Sequence, residues 1–169
     1  MVNYLKLYEI IGTRTPVKAD CGLLCQKACC IGDSETGMYL YPGEEQLYAE
    51  GVAFGKVFKS DFCYKFEKRY KQVNIFICDR PCDRERRPLA CRVFPFVPYV
   101  DSEGNAEIIL DPRADIVCPL ALHGDEVDFD EKFLDRLLEA FSAGLEDDEF
   151  AAFVKAQSKL IDEFEQMRK

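Results

Sequence analysis

Beyond residue 125 the apolar positions recur every three to four residues, the spacing that places them on one face of a helix. One such run covers residues 133–141, and a second covers residues 150–164. Aspartates that precede each run are candidate N-caps, and Gly144 between the runs is a candidate C-cap. This pattern predicts a helical hairpin over residues 125–169 that packs against the rest of the chain.

The middle of the chain has the shorter apolar runs that are typical of strands. Residues 57–66 and 73–78 are rich in Val, Ile, Phe and Tyr and enclose a basic stretch, which predicts a β-hairpin. The second of these runs is almost continuously apolar, so we expect it to be a central, well-buried strand. Residues 96–100 and 107–110 flank the turn sequence DSEGNA and predict a second hairpin.

The N-terminal third predicts less regular structure. Residues 2–11 alternate loosely between apolar and polar side chains, which favours a short strand or a single helical turn. Residues 38–41 favour a short extended piece, and residues 43–52 favour a helix. Glu44 and Glu45 fall in the first turn of that helix, where carboxylates interact favourably with the helix dipole. We therefore expect them to be capping groups rather than an acid–base pair.

Together these elements predict an α+β fold. The chain has 169 residues and a mass of 19.4 kDa, which is enough to bury a core without cross-links. We expect a single domain over residues 1–169. It would consist of a cysteine-rich region over residues 20–120 and the helical hairpin over residues 125–169.

Cysteine is the residue type that departs most from ordinary composition, since the chain has nine. Four of them follow the spacing Cys-x3-Cys-x3-Cys-Cys, and four more come from later segments. These eight are the candidate metal ligands: Cys21, Cys25, Cys29, Cys30, Cys78, Cys82, Cys91 and Cys118. The ninth, Cys63, lies inside a predicted strand between two aromatic residues, so we expect it to be a buried core thiol.

The expected redox environment favours metal binding over disulfide bonds. The chain shows no export signal and no apolar stretch long enough to span a membrane, so we expect a cytoplasmic, reducing location. An odd number of cysteines also argues against a complete disulfide set. Core packing and adventitious disulfides are the alternatives, but the density and spacing of the thiols favour a metal centre.

The ligand type leaves the kind of centre open. Four cysteines bind structural zinc and iron–sulfur clusters alike, whereas calcium and magnesium prefer oxygen. His123 is the only histidine, which excludes a His-rich catalytic zinc site, and we expect it in a surface loop. In a regular helix Cys21 and Cys29 would be about 12 Å apart along the axis, too far to share one zinc. The eight thiols thus fit two centres or one centre with accessory cysteines. The adjacent Cys29 and Cys30 could serve two different centres, or one of them could be a non-ligand.

Charge restricts the partners. The formal net charge of -9 disfavours binding to nucleic acid or to an anionic membrane, and it leaves a basic protein partner open. We expect a monomer. Five arginines interrupt this acidic balance between residues 80 and 92: Arg80, Arg84, Arg86, Arg87 and Arg92. We expect them to offset the charge of metal-bound thiolates and to pair with the acids interleaved among them, rather than to bind an anionic substrate.

Three stretches share motifs with a known family. The first is the Cys21–Cys30 run, with three residues in each gap, and the second is the Pro-Gly-Glu segment at residues 42–44 (Pro42, Gly43 and Glu44). In the third, a cysteine precedes an Arg-Pro pair and Cys-Arg-x-aromatic-Pro: Cys82, Arg87, Pro88, Cys91, Arg92, Phe94 and Pro95.

These motifs resemble the CxxCxxCC family of zinc- or iron-chelating domains, which is related to the cysteine-rich part of flagellin lysine-N-methylases. The resemblance covers roughly residues 20–120. It implies a metal-binding protein with a zinc or iron–sulfur centre held by cysteine thiolates. The alternative that it implies is an iron–sulfur-dependent protein lysine N-methylase-like enzyme, or an accessory unit of one.

Overall fold

The computed structural model describes residues 1–79 and 81–169 and shows an α+β fold. Its helices are α1 (Tyr4–Ile11), α2 (Ala28–Ile31), α3 (Leu89–Val93), α4 (Pro119–Leu122), α5 (Glu131–Leu145) and α6 (Asp148–Met167). Its strands are β1 (Gly37–Tyr39), β2 (Gly55–Phe66), β3 (Arg69–Cys78), β4 (Phe96–Val100) and β5 (Ala106–Leu110). Short 3-10 turns lie at Cys21–Leu23, Glu44–Tyr48, Ala114–Ile116 and Gly124–Glu126.

Both expected hairpins are present. Strands β2 and β3 pair antiparallel, and β1 adds to the far edge of β3, so the sheet order is β1-β3-β2. The apolar run 73–78 thus belongs to the central strand, and its Val73 and Phe76 are buried. Strands β4 and β5 form a separate two-stranded sheet in which Phe96 pairs with Leu110.

The C-terminal helical hairpin is confirmed, together with its N-caps. The side chain of Asp130 accepts a hydrogen bond from the Lys132 amide at the start of α5. The side chain of Asp147 accepts from the amides of Glu149 and Phe150 at the start of α6. These contacts satisfy amides that the first turn of each helix leaves without a helical partner.

The expected role of Gly144 as a C-cap is wrong. Gly144 is buried inside α5, which continues to Leu145 and is capped by Glu146. A Cβ atom at this position would lie 2.9 Å from the ring of Phe150. The glycine therefore serves close packing of α5 against α6 rather than helix termination.

Aromatic side chains join α6 to the sheet. The ring of Tyr41 stacks on Phe150 at 4.8 Å between centroids and meets Phe153 at 5.1 Å. Phe153 also meets the ring of Tyr64 on β2, edge to face, at 5.6 Å. Aromatic pairs in such geometries contribute about 0.5–1.5 kcal/mol each beyond the burial of their area. The main core is thus built where the hairpin predicted from helical periodicity covers the strands.

Two N-terminal predictions need correction. Residues 4–11 form the two-turn helix α1 rather than a strand or a single turn, because Tyr4, Leu7 and Ile11 share one buried face and Asn3 caps the Lys6 amide. The helix expected over residues 43–52 is only the 3-10 turn Glu44–Tyr48. In the described part of the chain, no helix is long and apolar enough to cross a membrane.

We predict that Phe153→Ala lowers the free energy of unfolding by about 3–5 kcal/mol, because it leaves a cavity between α6 and the sheet. Phe58→Ala is the control, since Phe58 is 49% exposed, and we expect a change below about 1 kcal/mol. Urea unfolding followed by circular dichroism measures both. Equal losses in the two variants would contradict the placement of Phe153 in the main core.

Candidate metal centre

The cysteine-rich stretch is not one regular helix. A 3-10 turn at Cys21–Leu23 is capped by the side chain of Asp20, which accepts from the Gly22 amide. The chain then takes positive φ values of 51° at Gln26 and 61° at Lys27 before α2 begins. The stretch therefore bends at residues 26–27, so Cys21 and Cys29 do not lie on one regular helix. No residue of α2 is buried, so this helix has little apolar packing to hold it.

Backbone hydrogen bonds attach this stretch to the segment that follows β3. The Cys82 amide donates to the Cys30 carbonyl at 3.0 Å, and the Ser34 amide donates to the Cys78 carbonyl at 2.9 Å. Cys78 ends β3, so the central strand fixes its position. The last two cysteines are placed by short helices, Cys91 within α3 and Cys118 as the residue that caps α4.

Seven of the eight candidate cysteines line one cavity of about 160 Å³: Cys21, Cys25, Cys29, Cys30, Cys82, Cys91 and Cys118. The eighth, Cys78, does not line it but interacts electrostatically with Cys30. All nine cysteines of the chain lie in the described residues and are free thiols. Over residues 1–79 and 81–169, no three His, Cys, Asp or Glu side chains are already arranged as a metal site. The structure thus gathers the thiols around a common space without showing a coordination geometry.

Cys30 is the thiol most strongly influenced by its neighbours. Its Sγ lies 3.7 Å from that of Cys29, and it also takes part in a hydrogen bond with Cys82. These two hydrogen bonds, with the positive charges of Arg87 and Arg84, lower the pKa of Cys30 far below its ordinary value. The same contacts raise the pKa of Cys29 and of Cys82. A thiolate is therefore favoured at Cys30, and the thiolate is the form that binds metals.

Loss of hydration raises the pKa of four other cysteines. At Cys91 the pKa is raised first by this desolvation and then by the nearby Cys78, and the charge of Arg87 opposes the rise. Desolvation also raises the pKa values of Cys21, Cys78 and Cys118. Soft metal ions bind deprotonated sulfur, so occupancy of these positions would release protons.

An arginine at the cavity has an unsatisfied donor. Arg87 is only 8% exposed, and its Nε has no hydrogen-bond partner among the described residues. A buried donor in this state carries a free-energy cost unless something accepts from it. Arg87 interacts electrostatically with the thiols of Cys30 and Cys91. Its charge is therefore placed where it offsets negative sulfur.

The other arginines only partly follow expectation. Arg84 forms an ion pair with Asp20 at 3.2 Å rather than with a neighbouring acid in its own loop.

Arg92 makes hydrogen bonds within the loop. It donates to the carbonyl oxygens of Glu85 and Arg87, and its guanidinium lies 4.0 Å from the centre of the Tyr8 ring. The carbonyl of Arg86 accepts from Tyr48, and Arg80 lies outside the described residues. The loop is therefore held by main-chain contacts as much as by ion pairs.

Glu44 has a role that sequence reasoning missed. It is fully buried, and its carboxylate accepts from the Tyr8 hydroxyl at 2.5 Å, the Leu89 amide at 2.6 Å and the Tyr41 amide at 3.0 Å. It joins α1, the segment after β1 and the first amide of α3, rather than capping the turn in which it lies. The sequence signal for its burial was the Pro-Gly-Glu segment, in which Glu44 lies between two aromatic residues, Tyr41 and Tyr48.

Cys63 and His123 both lie outside the cysteine-lined cavity. Cys63 is exposed, and the expectation of a buried core thiol is wrong, because the alternation of β2 turns Tyr64 inward and Cys63 outward. His123 is exposed beside α4, as expected. Neither lines the cavity, so both stand apart from the candidate ligands.

A second cavity, of about 290 Å³, lies between the β2–β3 hairpin and the start of α6. Its lining is polar and includes Glu149, which accepts hydrogen bonds from the Tyr64 hydroxyl and from Lys71 Nζ, both at 2.6 Å. Its charged groups thus satisfy one another in part, and it contains no cysteine. We therefore assign the candidate metal centre to the smaller, cysteine-lined cavity.

Comparison with known proteins adds no relative: no family model matches the chain, and no curated protein or solved structure is significantly similar to it.

The buried carboxyl of Glu44 generates a pH-dependent prediction. Burial raises its pKa from an ordinary 4.5 to about 7, although its three hydrogen bonds and Arg92 oppose the rise. Because the folded protein then holds this proton more tightly than the unfolded chain, the contribution of Glu44 to the free energy of unfolding falls as pH rises from about 4.5 to 7 and does not change further above that. A shift of this size corresponds to on the order of 3 kcal/mol.

The measurement is the free energy of unfolding by urea at intervals across that pH range. Glu44→Gln lacks the ionisable group, so its profile should be flatter than that of the unsubstituted protein. Glu45→Gln is the matched control and should retain the full decline. Parallel profiles for the unsubstituted protein and Glu44→Gln would show that this carboxyl keeps its ordinary pKa.

Proposed function

We propose that this protein binds metal through cysteine thiolates, as zinc or as an iron–sulfur cluster. The observation that carries the proposal is the cavity lined by seven free thiols from four separate segments of the chain. Core packing alone does not explain it, because Cys118 is the only one of the seven that is buried and Cys29 is exposed. Exposed and half-exposed thiols gain little from the hydrophobic effect at these positions.

The charges around the cavity support an anionic centre. Four thiolates around a divalent ion carry a net negative charge, and burying that charge requires compensation. Arg87 supplies a buried positive charge with a free donor, next to Cys30 and Cys91. The sulfur of a thiolate or of a cluster can accept a hydrogen bond from that donor. Hydrogen bonds to sulfur of this kind occur in iron–sulfur sites.

The two forms of the proposal differ in what the centre supplies. Zinc would cross-link the cysteine-rich stretch to the loop around α3, whereas an iron–sulfur cluster would add redox chemistry. Only the second form agrees with the enzyme related to lysine N-methylases that the resemblance implies. The thiols are common to both, so the donor set alone does not separate them.

Anaerobically purified protein tests the proposal directly. We expect stoichiometric zinc by elemental analysis in a colourless protein, or iron and sulfide in a brown protein with charge-transfer absorption. A colourless zinc protein would exclude the iron–sulfur form. Protein that contains neither metal after purification, and takes up neither on reconstitution, would overturn the proposal.

Substitution of one proposed ligand gives a second test. We predict that Cys91→Ser lowers metal content and reduces thermal stability by several degrees, because a lost ligand weakens the link between α3 and the cysteine-rich stretch. Cys63→Ser is the matched control, since Cys63 is an exposed thiol outside the cavity, and it should retain both properties. Elemental analysis and a thermal melt measure the two variants side by side. Equal metal content in both variants would show that Cys91 is not a ligand.

A further inference from the structure

The peptide bond between Cys29 and Cys30 lies at a division among the thiols. Both residues belong to α2, where successive side chains are about 100° apart around the helix axis. The two side chains therefore leave the helix in different directions. Their sulfurs contact each other, but their other neighbours differ.

One group of thiols gathers on the side of α4. Cys118 is buried with Ala114 and Leu120, and Cys21 packs against that same cluster. The thiol of Cys118 interacts electrostatically with that of Cys25, and the thiol of Cys21 interacts with both. Cys29 interacts with Cys25 and Cys21 in the same way. These four thiols form the first set.

A different group gathers at the end of the central strand. Cys78 and Cys82 pack against the apolar cluster that contains Phe54 and Phe76, which is not the cluster that contains Cys118. Cys30 makes two hydrogen bonds with Cys82, one through its carbonyl oxygen and one through its thiol. Cys91 interacts electrostatically with Cys78 and Cys30. These four thiols form the second set.

One short sulfur–sulfur contact joins the two sets, and the guanidinium of Arg84 interacts with both. The contact is the 3.7 Å separation of the Cys29 and Cys30 sulfurs. Arg84 interacts electrostatically with both Cys21 and Cys30, so it lies between the sets, whereas Arg87 interacts with Cys30 and Cys91 of the second set. Two anionic centres placed side by side would repel, and a cation between them reduces that repulsion.

We propose that the chain holds two separate four-thiolate centres, divided between Cys29 and Cys30. The first consists of Cys21, Cys25, Cys29 and Cys118. The second consists of Cys30, Cys78, Cys82 and Cys91. Each has the complete ligand count of a structural zinc site or of an iron–sulfur cluster. This division rests on the proposed function, since it assigns ligands within it.

Metal counting on paired variants of the full chain tests the division. The unsubstituted protein and Cys63→Ser should each contain about two zinc ions, or about two clusters, per chain. Cys118→Ser and Cys91→Ser should each lose about half of the metal. Cys21→Ser/Cys118→Ser, in which both changes fall in one set, should lose no more than Cys118→Ser alone. Cys91→Ser/Cys118→Ser, in which the changes fall in different sets, should lose nearly all of it.

A second measurement avoids variants that fold poorly. Metal is withdrawn from the unsubstituted protein by stepwise addition of a chelator, and the freed thiols are alkylated and identified by mass spectrometry. We expect two groups of thiols with different labelling profiles, with Cys29 and Cys30 in different groups. Eight thiols that become reactive together, or a single metal centre lost in both Cys118→Ser and Cys91→Ser, would overturn the division and leave the proposed function standing. Absence of metal from the unsubstituted protein would overturn both.

Discussion

The buried carboxylate of Glu44 fixes the part of the fold on which the cysteine cavity depends. Its three donors come from α1, from the segment after β1 and from the amide of Leu89 at the start of α3. Helix α3 carries Cys91, and α1 packs against α5 of the helical hairpin. The carboxylate thus relates the position of one cavity thiol to the main core. Removing it would leave buried donors without an acceptor, which costs more than a single hydrogen bond contributes.

Local patterns explain the parts of the fold that could be predicted. The helices α5 and α6 were evident from apolar spacing, and the strands of both hairpins were evident from short apolar runs and turn residues. Each of these signals is complete within one segment of sequence. Gly144 was interpreted wrongly because a ring from another element, α6, packs against it. Cys63 was interpreted wrongly although the signal is local, because the alternation of β2 turns Tyr64 inward and Cys63 outward.

The candidate ligands could be named from the sequence, but their arrangement could not. Clustered cysteines are conspicuous in any sequence, so the eight candidate ligands could be named without coordinates. Which thiols lie near one another depends on contacts between distant segments, such as the backbone hydrogen bond from Cys82 to Cys30. The buried Arg87 likewise looked like one basic residue among five. That its Nε is buried without an acceptor follows only from the three-dimensional structure.

The late position of Cys118 has a consequence for biosynthesis. It caps α4 and follows every other cysteine in the chain. Ribosomes deliver the N-terminal part first, so under the proposed division the second set is complete in the nascent polypeptide as soon as Cys91 has emerged. Cys21, Cys25 and Cys29 must wait for their fourth partner. Under that division we expect these three thiols to be the ones most open to mismetallation or oxidation while residues 92–118 are synthesised.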